Sequence, residues 1–229
     1  MSRKSILIAL VVCSFALTAV VAQATIIPIP IPNGGFDSEP AGSPPPNWTC
    51  SVWGSGFGVG SGNYAGSNYP SPYSGPYYAY LQATDYRGSG WCYQGLMLSG
   101  SPFEFTAAGD SITADLYQSM PFDSDSQIFS IVLKKGETWA AATQLAIGTF
   151  TDLPSPVGTW VPRTLTYVAT TADLNVPLWL QLWSGPNGPT QVLADNVTVS
   201  YTPIPEPSTL ALLAAGLVGL LCYAWRKRK

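Results

Sequence analysis

Between its two apolar ends, this chain has no segment in which apolar residues recur with the period of an α-helix. They occur instead in short segments, of which residues 111–118 are typical. There Ile112, Ala114 and Leu116 alternate with more polar side chains, as in a half-buried strand. Glycine and proline, 22 and 21 of the 229 residues, separate such segments, and both interrupt helices. The pattern predicts an all-β fold.

Eight segments bounded by Gly, Pro or Asp have the composition of strands: residues 77–83, 91–98, 111–118, 127–135, 144–150, 159–169, 178–183 and 191–201. Residues 127–135 are apolar on both faces, which predicts a central strand. Residues 26–32 predict an extended linker or an edge strand, and residues 38–46 and 54–76 predict irregular loops. About eight to ten short strands in one domain indicate an antiparallel β-sandwich, jelly-roll-like, over residues 25–202.

Residues 1–24 have the three parts of a signal peptide. Two basic side chains lie among the first four residues, residues 6–21 are almost entirely apolar, and an Ala-x-Ala sequence ends at Ala24. We therefore predict an N-terminal signal helix that signal peptidase removes before Thr25 during export across the inner membrane. The alternative is a retained membrane helix.

The other end of the chain combines three features. Pro205, Glu206 and Pro207 form a Pro-Glu-Pro triplet, residues 209–225 are apolar, and four basic residues follow. The apolar part predicts a single transmembrane helix whose flanking residues reach the interface. The basic cluster would hold this terminus in the cytoplasm and leave the domain outside.

In this order, the three features of residues 203–229 resemble the PEP-CTERM sorting signal of Gram-negative bacteria. The resemblance implies processing by an exosortase, a membrane protease that recognises the triplet and cleaves close to Glu206 and Pro207. It also implies delivery to the cell surface or to the extracellular matrix of a biofilm, with transient membrane anchoring by the helix. A plain C-terminal anchor is the alternative interpretation.

Basic residues are concentrated at the two ends of the chain. Residues 25–205 contain four of them against twelve acidic residues, a net charge of −8. A surface of that charge repels phosphate backbones, so we expect no nucleic-acid binding.

A second resemblance concerns the two ends of the predicted sandwich. Residues 33–37, followed by a proline-rich loop and Trp48, and residues 195–199 are similar to the opening and closing segments of carbohydrate-binding-module-like jelly rolls. In such folds the first and last strands lie side by side and can share a structural calcium ion. The resemblance implies Asp37 and Asp195 as its ligands, and oxygen ligands suit calcium. The alternative is that Asp195 only satisfies turn or edge backbone groups.

Two cysteines, Cys50 and Cys92, would remain in the exported domain, since Cys13 lies in the signal peptide and Cys222 in the tail. Export favours oxidation, so we predict a Cys50–Cys92 disulfide, which would stabilise the domain by roughly 3–4 kcal/mol through loop closure. A metal-bound or catalytic thiol is disfavoured because the chain has no histidine.

The absence of histidine also excludes Ser-His-Asp and Cys-His catalysis and His-based zinc sites. Paired carboxylates, as in glycosidases, remain. Asp123 and Asp125 flank one serine, with Glu104, Asp110 and Asp115 nearby, but a turn cluster of Asp and Ser is more often solvated. We therefore expect no catalytic residues. An exported carbohydrate-active hydrolase with a carboxylate pair is the alternative function.

Aromatic residues, 12 % of the sequence, give the clearest signal for a ligand. Flat rings bind the C–H faces of sugars, and at least half of the rings should instead fill the core. Trp179 and Trp183 share strand parity with Gln181 and therefore a face. The candidate ligand-binding residues are those in the long loop: Trp53, Tyr64, Tyr69 and Tyr73. We expect an exported, non-enzymatic surface or matrix protein that binds exopolysaccharide.

Overall fold

The computed structural model describes residues 25–38, 45–51, 58–62, 69–83, 90–122, 128–152, 154, 156–184, 190–204, 216, 219, 220, 223, 226 and 227. The predicted signal helix and the Pro-Glu-Pro triplet lie outside these residues, and so does most of the predicted tail helix. The single tail positions that are described are helical and exposed. None of the helices in the described ranges has the length and apolar character needed to cross a membrane.

The described chain is built mainly from thirteen strands, with two short 3-10 helices at Trp139–Ala141 and Thr171–Asp173. The strands are Ile27–Ile29 (β1), Thr49–Cys50 (β2), Gly58–Gly62 (β3), Tyr78–Ala83 (β4), Gly90–Gly95 (β5), Met97–Leu98 (β6), Ser101–Pro102 (β7), Ser111–Ser119 (β8), Phe129–Lys135 (β9), Thr143–Phe150 (β10), Val161–Val168 (β11), Leu178–Ser184 (β12) and Thr190–Thr202 (β13).

Two antiparallel sheets make up the sandwich within the compact unit Ile26–Thr202. The six-stranded sheet has the order β11-β8-β13-β4-β3, with β1 paired to β13. The five-stranded sheet has the order β10-β9-β12-β5-β2. β6 and β7 form a separate hairpin. The predicted fold class, an antiparallel sandwich, is confirmed.

The core lies between the two sheets and is filled by alternate residues of their strands. Ile112, Ala114 and Leu116 of β8 face Leu180 and Leu182 of β12 in one apolar cluster, as the alternation in the sequence predicts. All five are buried. Burial of such side chains contributes roughly 1.5–3 kcal/mol each and drives the two sheets together.

All eight predicted strands are present, with ends that differ by a few residues. The predicted strand at residues 91–98 divides at Leu96, because β5 pairs with β2 and β12 whereas β6 pairs with β7. The central position predicted for residues 127–135 is confirmed, since β9 pairs with both β10 and β12. The prediction of a continuous loop over residues 54–76 is wrong, because β3 pairs there with β4 through backbone hydrogen bonds.

The first and last strands lie side by side, and a turn next to β1 extends their contact. The backbone N–H of Val197 donates to the carbonyl of Gly34 over 2.9 Å. A side chain at Gly34 would collide with the carbonyl oxygen of Val197, so this close approach requires glycine. Asn196, with φ 53°, lies at a bulge in β13, and this irregularity brings Asp195 toward the turn that carries Asp37.

Candidate functional site

The outer face of the five-stranded sheet carries a cluster of aromatic rings. On β5 and β12, Cys92, Leu180 and Leu182 point into the core, so the residues that alternate with them point outward. The outward rings, together with one from the 3-10 helix after β9, are all partly exposed. We call this set the aromatic face: Trp91, Tyr93, Trp139, Trp179 and Trp183.

The strand register places these rings side by side. Trp183 of β12 is directly opposite Trp91 of β5, and Gln181 is directly opposite Tyr93. One step further along, Trp179 faces Gly95, whose missing side chain leaves room for the indole to lie across it. The aromatic face is therefore continuous over two neighbouring strands.

Three of the rings form a stack on this face. Trp139 and Tyr93 are nearly parallel, with centroids 3.7 Å apart and an angle of 7° between their planes. Trp91 continues the stack beside Tyr93 at 5.7 Å, and Trp179 meets both Tyr93 and Trp139 edge-on. Such contacts hold the rings in fixed positions, each pair contributing about 0.5–1.5 kcal/mol beyond its buried area.

Polar groups lie among the rings. The indole N–H of Trp179 donates to the carbonyl of Gly136 over 2.8 Å, which fixes that ring. The ammonium of Lys134 lies 4.0 Å from the centroid of Trp139, in a cation–π contact. Gln181 projects from the centre of the same face and remains partly exposed. The surface thus combines flat apolar rings with a few hydrogen-bonding groups.

Two of the four loop residues predicted to bind ligand are described, and they lie on the other sheet. Tyr73 stacks on Tyr117 of β8 with centroids 3.5 Å apart, and Tyr69 contacts Tyr80 of β4 edge-on. The loop is also held by Trp160, whose indole N–H donates to the carbonyl of Ser71 over 2.8 Å. The other two predicted residues, Trp53 and Tyr64, lie outside the described residues. A ligand role for this loop therefore stays a prediction.

The two aspartates predicted as calcium ligands approach the same loop. The carboxylate of Asp195 accepts from the backbone N–H of Ser74 at 2.9 Å, and that of Asp37 accepts from Tyr77 at 3.2 Å. Asp37 also rests against Gly75, where φ is +60° and a side chain would collide with the carboxylate. The fold therefore brings both carboxylates to one four-residue segment of the loop, residues 74–77.

Asp195 is fully buried, and burial is the main cause that raises the pKa of its carboxyl to about 6. Hydrogen bonds from Ser74 and Asn196 oppose this rise, and the charge of Asp37 adds to it. Neither Asp37 nor Asp195 takes part in an ion pair between described residues. No group of three or more His, Cys, Asp or Glu side chains suited to a metal occurs in those residues, so a cation here would also need backbone or water oxygens.

Two carboxylates considered in the sequence analysis, Asp110 and Asp115, are engaged in structural contacts. Asp110 is buried and accepts from the hydroxyl of Tyr201 over 2.6 Å, and Asp115 accepts from Thr164. Asp173 is buried beside Lys135. Asp123 and Asp125, which the sequence analysis considered as a catalytic carboxylate pair, lie outside the described residues.

The predicted disulfide is not formed in the structure, where Cys50 and Cys92 are free thiols. The two residues are nevertheless directly opposite each other on β2 and β5. Burial, with the Cys50 thiol beside it, raises the pKa of the Cys92 thiol well above its usual value. The protonated thiol is the less reactive form in thiol–disulfide exchange. The disulfide stays a prediction.

The comparisons with known proteins identify the C-terminal segment. Residues 203–229 match the PEP-CTERM protein-sorting motif, which confirms the resemblance noted in the sequence. The motif indicates an exported protein that is sorted to the cell surface. No curated protein matches the chain in sequence at a significant level.

Solved structures resemble the sandwich. A cyclase from Fischerella sp. TAU has 19 % identity and a TM-score of 0.60, and the match covers 80 % of this chain and 100 % of that one. The arabinose-bound α-L-arabinofuranosidase MgGH51 has 10 % identity and a TM-score of 0.52, over 80 % of this chain and 27 % of that one. These identities establish a common fold alone.

A xylan-binding domain, CBM22-1 of Paenibacillus barcinonensis Xyn10C, is also among the similar structures. It has 11 % identity and a TM-score of 0.48, with 80 % of this chain and 98 % of that one covered. This likeness is too weak to support an inference.

Proposed function

We propose that this protein is a non-enzymatic component of the cell surface or extracellular matrix that binds exopolysaccharide through the aromatic face. The observation that carries the proposal is the set of five partly exposed rings on the outer side of one sheet, four of which are held in place by contacts with one another. Sheets of soluble sandwiches usually present polar side chains outward. A continuous aromatic surface marks a place where something binds.

Sugars fit this surface better than a partner with a large apolar patch. Trp91, Trp179 and Trp183 offer flat areas for the C–H faces of sugar rings. Gln181 and the free indole N–H groups can bond to hydroxyls at the same time. Because four of the five rings are already fixed by their mutual contacts, binding costs little conformational entropy there.

Export brings this surface to its ligand. In the proposed sequence of events, signal peptidase cleaves before Thr25 and exosortase processes the tail at the Pro205-Glu206-Pro207 triplet. The tail helix anchors the chain in the membrane until that step. The domain then lies where exopolysaccharide accumulates, at the cell surface or in a biofilm matrix.

A structural calcium ion at Asp37 and Asp195 is the second part of the proposal. Two carboxylates that approach one loop segment, one of them fully buried, leave negative charge that a cation would balance. The ion would fasten the segment around Ser74 to the ends of the sandwich. It would have no role in chemistry.

The test is calorimetric titration of the mature protein with a panel of neutral and acidic polysaccharides. The variants are Trp91→Ala and Trp179→Ala on the aromatic face and Tyr73→Ala in the loop on the other sheet. Val168→Ala, an exposed apolar position on the edge strand β11, is the matched control. We expect at least about a tenfold loss of affinity in the two tryptophan variants only.

A loss confined to Tyr73→Ala would move the site to the loop. Release of reducing ends by the wild-type protein, abolished by substitution of an aspartate or glutamate, would replace the proposal with the hydrolase. Thermal unfolding of each variant shows whether a loss of affinity comes from a missing contact with the ligand or from a domain that no longer folds.

A further inference from the structure

Positive charge is scarce in the domain, and the position of one lysine stands out. Lys135 pairs with Asp173, and Arg163 pairs with Asp152, each at 2.8 Å. Neither of these ion pairs includes Lys134. The ammonium of Lys134 lies over Trp139 instead, inside the aromatic face.

Among the described residues, no carboxylate occupies an outward position of the sheet around this lysine. The outward positions of the five-stranded sheet that surround it in the strand register are uncharged: Trp91, Tyr93, Gly95, Ser130, Val132, Gln144, Ile147, Thr149, Trp179, Gln181 and Trp183. Glu137, in the turn after β9, is exposed and makes no ion pair with Lys134. Asp37, Asp115 and Asp195 belong to the other sheet and its loops.

This distribution differs from that of the domain as a whole, which has a net charge of −8 over residues 25–205. An acidic polymer is repelled by most of such a surface. The aromatic face is a local exception, because its outward positions carry one ammonium and no carboxylate. Charge therefore selects this face over the rest of the described surface as the place where an anionic chain can lie.

We propose that the ligand of the aromatic face is an acidic polysaccharide of the uronic-acid type, whose carboxylate binds Lys134 while its sugar rings stack on the indoles. This inference rests on the proposed function and names the ligand class. A polyuronate has a carboxylate on every sugar, so a chain stacked on the rings presents one of them near Lys134 in any register. The cation–π contact with Trp139 keeps the ammonium beside the stack and limits the entropy lost on binding.

The test compares an anionic polymer with its uncharged derivative: polygalacturonate and the same polymer after methyl esterification. The mature protein is titrated calorimetrically with both, as wild type, Lys134→Gln, Lys134→Arg and Trp91→Ala. We expect the wild type to bind polygalacturonate about three- to tenfold more tightly than the ester, with a preference that falls as salt is added. Lys134→Gln should abolish the preference, and Lys134→Arg should retain it.

The affinity for the methyl ester shows whether the face is intact. We expect Lys134→Gln to weaken the binding of polygalacturonate more than that of the ester, and Trp91→Ala to weaken the binding of both polymers. Equal wild-type affinity for the two polymers, or a preference that survives Lys134→Gln, overturns the inference while the proposed function stands. If the wild type binds neither of these polymers but binds a neutral glucan, the inference also fails alone. If it binds no polysaccharide at all, both fail.

Discussion

The indole of Trp139 lies flat on the ring of Tyr93, at 3.7 Å between centroids, although the two residues belong to elements separated by β12 in the sheet. Trp139 begins the short 3-10 helix that follows β9, and Thr138 caps this helix by accepting from the N–H of Ala141. The helix thus returns a ring across the outer face of the sheet. Trp139 thereby adds a fifth ring to the four that β5 and β12 carry.

Calcium should stabilise the domain. At 100 times the dissociation constant, a ligand specific for the folded state adds about 2.7 kcal/mol, which corresponds to a rise in Tm of roughly 5–10 °C for a domain of this size. Thermal unfolding of the mature protein, with calcium and with a chelator, measures this rise in Tm. The rise should be lost in Asp195→Asn and in Asp37→Asn. A rise that persists in both variants would place the ion elsewhere.

Asp173 should control stability at low pH. Its buried carboxylate accepts from Lys135 of β9, from Tyr167 of β11 and from Thr170, and so ties the two sheets together. Burial alone would raise the pKa of Asp173, but these hydrogen bonds outweigh it and hold the pKa well below its usual value. Because the folded-state pKa is depressed, the stabilisation is present above the unfolded value of about 3.9 and is lost as the pH falls below it.

Asp173→Asn should therefore lower the free energy of unfolding by about 3 kcal/mol near pH 6. At pH 3 the free energies of unfolding of the variant and the wild type should differ by less. Urea unfolding at several pH values measures both. The matched control is Asp152→Asn, since Asp152 forms the other ion pair but its side chain is 68 % exposed. Asp152→Asn should lower the free energy of unfolding by less than about 1 kcal/mol. Equal effects of the two substitutions would contradict this account.

The cysteine pair gives a separate prediction. Since Cys50 and Cys92 lie directly opposite each other, the exported protein should contain their disulfide. Its intact mass should then increase by about 2 Da on reduction, and Cys50→Ser should lower the free energy of unfolding by about 2–5 kcal/mol. Two thiols that alkylate quantitatively in denaturant without reductant would show that the mature protein keeps the free state.

Processing at the two ends can be read from the same mass spectrum. The mature chain should begin at Thr25 and end close to Glu206 and Pro207. A mass that retains residues 208–229 would instead indicate an ordinary anchor. Replacement of Glu206 by Ala should cause retention of the tail if exosortase reads the triplet.

The architecture could be predicted from the sequence because alternation and turn residues are local signals. β8 and β9 follow the apolar pattern closely. β3 could not be recognised, because Gly58–Gly62 contains four small residues and one valine, with no alternation to read. Its strand conformation comes from pairing with β4, a tertiary contact.

The candidate site was predictable only in part. The parity of Trp179, Gln181 and Trp183 gave their common face correctly. Sequence could not show that Trp139 returns across that face, since its position depends on the 3-10 turn and on the stacking with Tyr93. The tyrosines of the long loop were predicted to bind ligand from the composition of that loop. In the folded chain, however, Tyr73 packs on Tyr117.

The most direct test of the central claim is a map of the contacted tryptophans by NMR. Indole N–H signals of the ¹⁵N-labelled mature protein are followed during titration with the polysaccharide that binds most tightly in the calorimetric panel. The signals of Trp91, Trp139, Trp179 and Trp183 should shift, while those of Trp160 on the opposite side and of the buried Trp48 should not. Shifts confined to Trp160, or no shifts under conditions of measured binding, would contradict the assignment of the site to the aromatic face.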